Sequence, residues 1–375
     1  GFSTPSIVLE GSIRAGGMNV SGMTVPGIPG ILIGRTPHHA WSMQVANAHT
    51  TDYYLETPDA VSLHRMETIK VAGGEDVQLP VYRSAHGPVV NPMPYDPEQV
   101  SETNPIISWK YSQWGYEFGS VKGFLGLSRA TSMDEFGEGI EQIGVSQHYC
   151  YADKDGNIAY WMSGRDPVRP AGNWFMPQGF GGTAPLEWDA AVLKPRSTDR
   201  NTAKGFYCGW NNKDSAPSES GFNAANKQFG PFDRSHVLDD YISGKDKLTF
   251  EEIRDIALYI ATTDSFDFGG NPWKFVKDAF WIAIAVSSRS EPYEAIQILE
   301  NWDGHFVDGG NENWAAGTDR ADAWILTDAW IREVLRLTFE DELGELYTSE
   351  DTTLLFNVFL HGLRGESSAI INQYN

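Results

Sequence analysis

An amide is the first group in this 375-residue sequence whose type and setting could do chemistry. Asn211 stands between Trp210 and Asn212, after a run that reads as a strand. An Asn there can cap a turn. It can also present a side-chain NH₂, one of the few neutral donors able to stabilise a developing oxyanion. Arg234, in Phe232-Asp233-Arg234, either pairs with its neighbour Asp233 or orients a carboxylate or an active-site amide. His38, His39, His49 and Asp52 are metal-ligand types, but they lack the helical HExxH arrangement, so surface and core histidines are expected. Asp153-Lys154-Asp155-Gly156 starts like a calcium loop. The next ligand position and the closing Glu do not follow, so it reads as a hairpin turn. Neither a G-x-S-x-G nucleophile elbow nor a phosphate-binding G-x-x-x-x-G-K occurs, which disfavours serine hydrolysis on an α/β-hydrolase scaffold.

Charge narrows the partners. Lys and Arg number 28 against 50 Asp and Glu, a net charge of −22. Nucleic acid and anionic membranes both call for a basic surface. The longest purely apolar run, residues 279–286, is far short of the roughly 20 residues that span a bilayer. Residues 1–11 show no basic segment followed by an apolar one, the pattern of a signal peptide. Two cysteines, Cys150 and Cys208, allow one disulfide or two free thiols and no cysteine-based zinc site. Acidity with few cysteines is compatible with a periplasmic or secreted enzyme.

The elements that must carry these residues change character near position 235. Residues 1–235 are rich in Gly, Pro and aromatics with short β-type runs: Ile31-Leu32-Ile33, Val71 with 77–81, 106–109, and Phe206-Tyr207-Cys208. Asp155-Gly156 between aromatic and apolar runs signals a hairpin, because the central residues of such turns favour positive φ. Residues 132–143 read as a helix with Ser132 and Glu135 at capping-box spacing. The glycines of residues 1–34 read as tight turns, or as backbone brought close to a ligand. Residues 236–375 are mainly helical. Thr249 and Glu252 again have capping-box spacing, and Pro272 suits the first turn of a helix reaching Val286. Further helices are predicted at 293–301, 320–337 and 351–363.

Taken together, these segments resemble the β-subunit of the penicillin acylases, in the N-terminal nucleophile hydrolase superfamily. Gly17-Met18-Asn19-Val20-Ser21-Gly22, Pro29-Gly30-Ile31-Leu32-Ile33-Gly34, Ala40-Trp41, Asp52 and Glu56 are similar to one ordered signature. Arg83-Ser84-Ala85-His86-Gly87-Pro88, Tyr151-Ala152-Asp153 with Asp155-Gly156-Asn157-Ile158, Trp210-Asn211-Asn212 and Asp233-Arg234 follow in order. Trp302-Asp303-Gly304 resembles a recurring W-D-G, and the last 35 residues are not diagnostic.

The resemblance implies an α+β fold, a four-layer αββα sandwich, incomplete here, with a C-terminal helical region. It implies an amidohydrolase that cleaves an N-acyl substrate through an acyl-enzyme. Candidate substrates are a β-lactam side-chain amide, an acyl-homoserine lactone or a similar amide. An N-terminal Ser attacks and its own α-amine serves as base. That Ser would lie about two dozen residues ahead of the position matching Gly1, and neither Ser3 nor Ser6 matches it. The chain is therefore expected to be a fragment, inactive alone, whose partners are the α-subunit and the remaining β-subunit segments of one precursor.

By carry-over, Asn211 Nδ2 and the backbone N–H of Val45 would hold the oxyanion, and Arg234 would support them. Ile33, Met43, Phe124 and Gln147 would line the acyl pocket, a mixed set that favours an aliphatic or other non-aromatic chain. No cofactor is required. A structural calcium is implied, with Asp52 and the Thr51 carbonyl as ligands; His49 stands at a second carboxylate position and Phe222 or Asn223 at a third. Two other readings compete. A non-catalytic, secreted binding domain would use the 13 Trp and 15 Tyr. A metal hydrolase would use His38, His39, His49 and Asp52.

Overall fold

Turn chemistry and strand alternation build the first part of the molecule. The structure is a computed structural model and describes residues 6–91, 100–101, 103–215, 232–267, 269–287, 293–307 and 319–364. It divides into two compact units, one of residues 1–202 with 218–227 and one of 203–217 with 228–375.

The first unit holds β1 (Leu9–Ala15), β2 (Met18–Thr24), β3 (Ile33–Arg35), β4 (His39–Val45), β5 (Thr51–Glu56), β6 (Ser62–Ile69), β7 (Val77–Arg83) and β8 (Ile106–Tyr111). Helices α1 (Glu117–Arg129) and α2 (Met133–Glu141) follow, then β9 (Gln147–Asp153), β10 (Ile158–Met162) and β11 (Thr198–Arg200). Seven of these strands form one sheet in the order β1-β2-β3-β4-β9-β10-β11, and every neighbouring pair is antiparallel. β5 pairs with β8, and β6 with β7.

Gly16 and Gly17, both at positive φ, make the two-residue turn between β1 and β2. Gly22 and Gly34 face each other across β2 and β3 for a different reason. A Cβ on Gly22 would fall 2.1 Å from the Ile33 carbonyl, and one on Gly34 would fall 2.5 Å from the Ser21 carbonyl. These glycines bring two strands together rather than backbone to a ligand. Only Gly156 in the β9–β10 turn takes positive φ; Asp155 does not. The turn is held by the Asp153 carboxylate, which accepts the N–H groups of Asp155 and Asn157, each at 2.9 Å. It is a hairpin and not a calcium loop.

Helices α1 and α2 cover one face of the sheet. Phe124 and Leu127 of α1 and Phe136 and Ile140 of α2 bury against Val20, Trp41, Tyr149, Tyr151 and Trp161. Ser132 caps α2 by accepting the Glu135 N–H. His39 belongs to this core: its Nε2 meets the Leu127 carbonyl at 3.0 Å and its ring stacks on Tyr151. Burial pulls its pKa down, against the Leu127 hydrogen bond.

The second unit is mainly helical. It comprises α3 (Ser235–Ile242), α4 (Phe250–Thr262), β12 (Ser265–Phe266), β13 (Gly269–Gly270), α5 (Pro272–Val286), α6 (Tyr293–Glu300), α7 (Ala321–Leu343) and α8 (Thr352–Leu363). Both halves of the Thr249–Glu252 capping box form at α4. Asn271 caps α5 from a left-handed conformation, with Pro272 in the first turn. Phe232, Phe266, Trp273, Phe280, Trp302, Ile331 and Phe356 form the core. Residues 206–208, expected as a strand, belong to none. Lys204 and Cys208 turn instead to Asp239 on α3. No described helix is long and apolar enough to cross a membrane.

Candidate functional site

The sharpest polar geometry among the sequence-predicted site residues lies in the second unit. Two asparagines in Trp210-Asn211-Asn212 divide the work. Asn212 makes the bend, accepting the Trp210 N–H at 2.7 Å and donating to the Lys213 carbonyl at 2.9 Å. Asn211 does not close that bend; its Oδ1 accepts from Arg234 Nη2 at 2.7 Å. A guanidinium only donates, so it must face the oxygen end of the amide, and this fixes Nδ2 as the opposite, donor end.

Arg234 is itself held. Its guanidinium lies 4.4 Å above the Trp210 ring. Asp233 does not pair with it; the Asp233 carboxylate accepts the N–H and hydroxyl of Ser235 at the start of α3. Burial draws the Arg234 pKa down and the charge of Asp233 opposes this. A half-buried guanidinium over an aromatic face is a rigid support for an amide.

Val45 belongs to the first unit, at the end of β4 opposite Gln147 of β9. Its N–H makes a long, local hydrogen bond to Gln44 Oε1 at 3.3 Å, which a stronger acceptor would displace. Alternation places Trp41, Met43 and Val45 on one sheet face, and registered pairing adds Tyr149 and Gln147 to it. Met43 packs against the cluster that contains Phe124. Gln147 Oε1 is buried with no hydrogen-bond partner among the described residues. Ile33 flanks Gly34, which is registered with Trp41, so alternation turns Ile33 to the opposite face. The structure thus sets Met43 and Gln147 on the sheet face of Val45, packs Met43 against the core that holds Phe124, and sets Ile33 apart.

Two ionic clusters flank β5. Asp52, 2% exposed, accepts His49 Nε2 on Oδ1 at 2.7 Å. Its Oδ2 accepts Arg169 Nε and Nη2 at 2.9 and 2.8 Å, and Trp188 Nε1 at 2.7 Å. Arg169 Nη1 continues to Asp166 at 2.9 Å, and Lys194 lies 3.4 Å from the other Asp166 oxygen. At the far end of β5, His86 bridges Glu56 at 2.7 Å and Glu187 at 2.6 Å, and its ring stacks 3.8 Å from Tyr54. Sequence reasoning singled out Asp52 and missed Arg169, Asp166 and Trp188; no local motif marks a partner more than a hundred residues away.

The histidines proposed as metal ligands disperse. His39 is in the helix-covered core and His49 is tied to Asp52. Among the described residues no group of three or more His, Cys, Asp or Glu could hold a metal ion. Trp41, Trp161, Trp273 and Trp302 are buried in the two cores. Cys150 and Cys208 are free thiols.

Comparison with known proteins bears on this geometry. The penicillin amidase family model matches residues 1–373. Penicillin G acylase of Escherichia coli is 23% identical over 367 residues, covering 90% of this chain and 40% of that protein. Acyl-homoserine lactone acylase QuiP of Pseudomonas aeruginosa is 24% identical over 377 residues, covering 92% of this chain and 42% of that protein. The chain therefore spans about 40% of the length of these curated relatives. Among solved structures, a thermostable penicillin G acylase from Alcaligenes faecalis shares the fold. Its TM-score is 0.79 at 21% identity, over 100% of this chain and 71% of that one. The expected α+β, N-terminal nucleophile hydrolase fold is the fold found, and the chain belongs to the penicillin amidase family.

Proposed function

We propose that this chain supplies the carbonyl-cradling part of an amidohydrolase that cleaves N-acyl amides through an acyl-enzyme. The observation that carries the proposal is the 2.7 Å hydrogen bond from Arg234 to Asn211 Oδ1, with Trp210 beneath the guanidinium. It orients a neutral donor without placing a proton on it. In the reaction, Asn211 Nδ2 donates to the oxyanion as the carbonyl becomes tetrahedral, and the resemblance implies a second donor in the Val45 N–H. Met43, Phe124 and Gln147 then form the acyl wall, which suits an aliphatic or other non-aromatic chain. The related proteins named above act as penicillin G and acyl-homoserine lactone acylases, and a β-lactam side-chain amide or an acyl-homoserine lactone is the substrate class proposed here.

The attacking hydroxyl belongs, in this reading, to an N-terminal Ser outside these 375 residues, freed by cleavage of a precursor in the periplasm or outside the cell. Its α-amine takes the proton as the hydroxyl attacks and passes it to the substrate nitrogen as the C–N bond breaks; water then cleaves the acyl-enzyme ester and releases the acid. The chain alone is then inactive.

The test uses the precursor encoded by the full gene, with Asn211→Ala, assayed on N-acyl amides. Loss of one oxyanion donor lowers kcat by about 10² to 10³-fold, with KM little changed. Arg234→Lys keeps the charge but loses the planar fork, and a smaller fall in kcat is expected. An Asn211→Ala enzyme with parental kcat would refute the assignment.

A further inference from the structure

The resemblance implies a structural calcium at Asp52, and the residues around Asp52 do not fit one. Calcium takes six or more oxygen ligands, several of them charged. Here the Asp52 oxygens face nitrogen donors: His49 Nε2 on Oδ1, and Arg169 Nε, Arg169 Nη2 and Trp188 Nε1 on Oδ2. His49 stands where a second carboxylate would be, and the third position, near Phe222 or Asn223, lies outside the described residues. Thr51 lies within the β5–β8 ladder, opposite Tyr111.

The charges already balance. Asp52 and Asp166 are two carboxylates, and Arg169 and Lys194 are two cations within ion-pair distance of them. Arg169 is only 5% exposed and bridges both acids. A dication placed against Asp52 would meet the guanidinium at close range and would have to evict it. Eviction would leave Arg169 buried with one carboxylate fewer, an unfavourable outcome.

We infer that the Arg169 guanidinium stands in the place of a divalent cation, tying β5 to residues 166–194, so that this fold holds its Asp52 corner together without calcium. The inference concerns the scaffold and stands whether or not the acylase reading does. Its test therefore reads metal and stability, not turnover.

The purified protein is dialysed against EGTA, its calcium measured, and its thermal midpoint recorded with and without about 5 mM calcium chloride. The expected result is calcium below about 0.1 equivalent per chain and a midpoint shift under about 1 °C. A larger rise, or near-stoichiometric calcium surviving dialysis, overturns the inference. A second arm compares Arg169→Met with the parent, both in EGTA. A midpoint several degrees lower is expected, and an unchanged midpoint overturns the role given to Arg169. Should the variant fail to fold, the parental calcium measurement alone still decides.

Discussion

Two aspartates are almost equally hidden, and the two units treat them in opposite ways. Asp52 in the first unit is 2% exposed and Asp264 in the second is 1% exposed. Asp52 has four N–H donors on its two oxygens, two of them from a permanent cation. Neither carboxyl oxygen of Asp264 has a hydrogen-bond partner among the described residues. Its backbone is well anchored, donating to the Gly304 carbonyl and accepting the Asn271 N–H, each at 2.7 Å. Burial pushes the Asp264 carboxyl up to about 8; the neighbouring Ser265 N–H, too poorly aligned to close a hydrogen bond, pulls the other way and the charge of Asp328 adds to the rise. A buried acid is thus either met by matched donors, as at Asp52, or pushed toward its neutral form by burial without them, as at Asp264.

The comparison breaks most visibly if Asp52 is neutralised. Asp52→Asn leaves Arg169 buried with one carboxylate fewer, and a loss of roughly 3–5 kcal/mol in unfolding free energy is expected by denaturant titration. A loss below about 1 kcal/mol would show that the donors are not a matched set.

Asp264→Asn should act in the opposite direction and depend on pH. The folded pKa of Asp264 lies above its ordinary value, so its contribution is fully present below about pH 4 and is lost as pH rises toward about 8. The parent loses up to about 1.4 kcal/mol per pH unit from this group within that window. The stability of Asp264→Asn relative to the parent should therefore rise by about 3 kcal/mol between pH 5 and pH 7.5. Parallel pH profiles would mean that Asp264 is ionised in the folded state.

Neither contrast was legible in the sequence, whereas much of the local structure was. Ser132, Thr249 and Asp351 sit at helix starts where their own side chains accept backbone N–H groups three residues on. Asp155-Gly156 marks its hairpin because turn geometry is local. The segment 206–208 misled because its short aromatic run carries no record of Asp239, which draws Lys204 and Cys208 away from any sheet. Likewise, all of β6 is exposed and has no apolar alternation to announce it. At the candidate site the order of Asn211 and Arg234 was readable from the resemblance, and of the alternatives open for Arg234 the structure shows the one in which it orients an amide. Ile33 was grouped with Met43 although strand register sends it to the other face. Asp52 and Arg169 are 117 residues apart, and only topology joins them.

Glu56 sharpens the comparison, because its cation titrates. Burial pushes the Glu56 carboxyl up, but hydrogen bonds from His86, Ser108 and Ser84 outweigh it and hold the pKa below the ordinary 4.5. Burial pulls His86 down, and its hydrogen bonds to Glu56 and Glu187 more than reverse this, leaving it above the ordinary 6.5. Lys110 also reaches Glu187, at 2.7 Å. The His86 contribution is fully present below about pH 6.5 and lost as pH rises through the raised pKa. The carboxylates' share is lost as pH falls below about 4.5. Glu187 is half-exposed and solvent screens its share, so His86→Asn should cost about 1 kcal/mol at pH 6 and less at pH 9. An equal cost at both values would reduce His86 to packing against Tyr54.

The smallest effect is expected where no cation takes part. Asp153 is partly exposed, and its carboxylate holds the β9–β10 turn by accepting the N–H groups of Asp155 and Asn157 and the Asn157 amide. Burial raises its pKa, but these hydrogen bonds together prevail and place it below the ordinary 3.8. Its contribution is therefore present above about pH 3.8 and lost as pH falls through the lowered value. Asp153→Ala should cost about 0.5 kcal/mol at neutral pH, with hydrogen exchange at Asp155 and Asn157 accelerated. The cost should shrink toward pH 2. Were it as large as that of Asp52→Asn, the cation at Asp52 would add nothing that backbone N–H groups do not already supply.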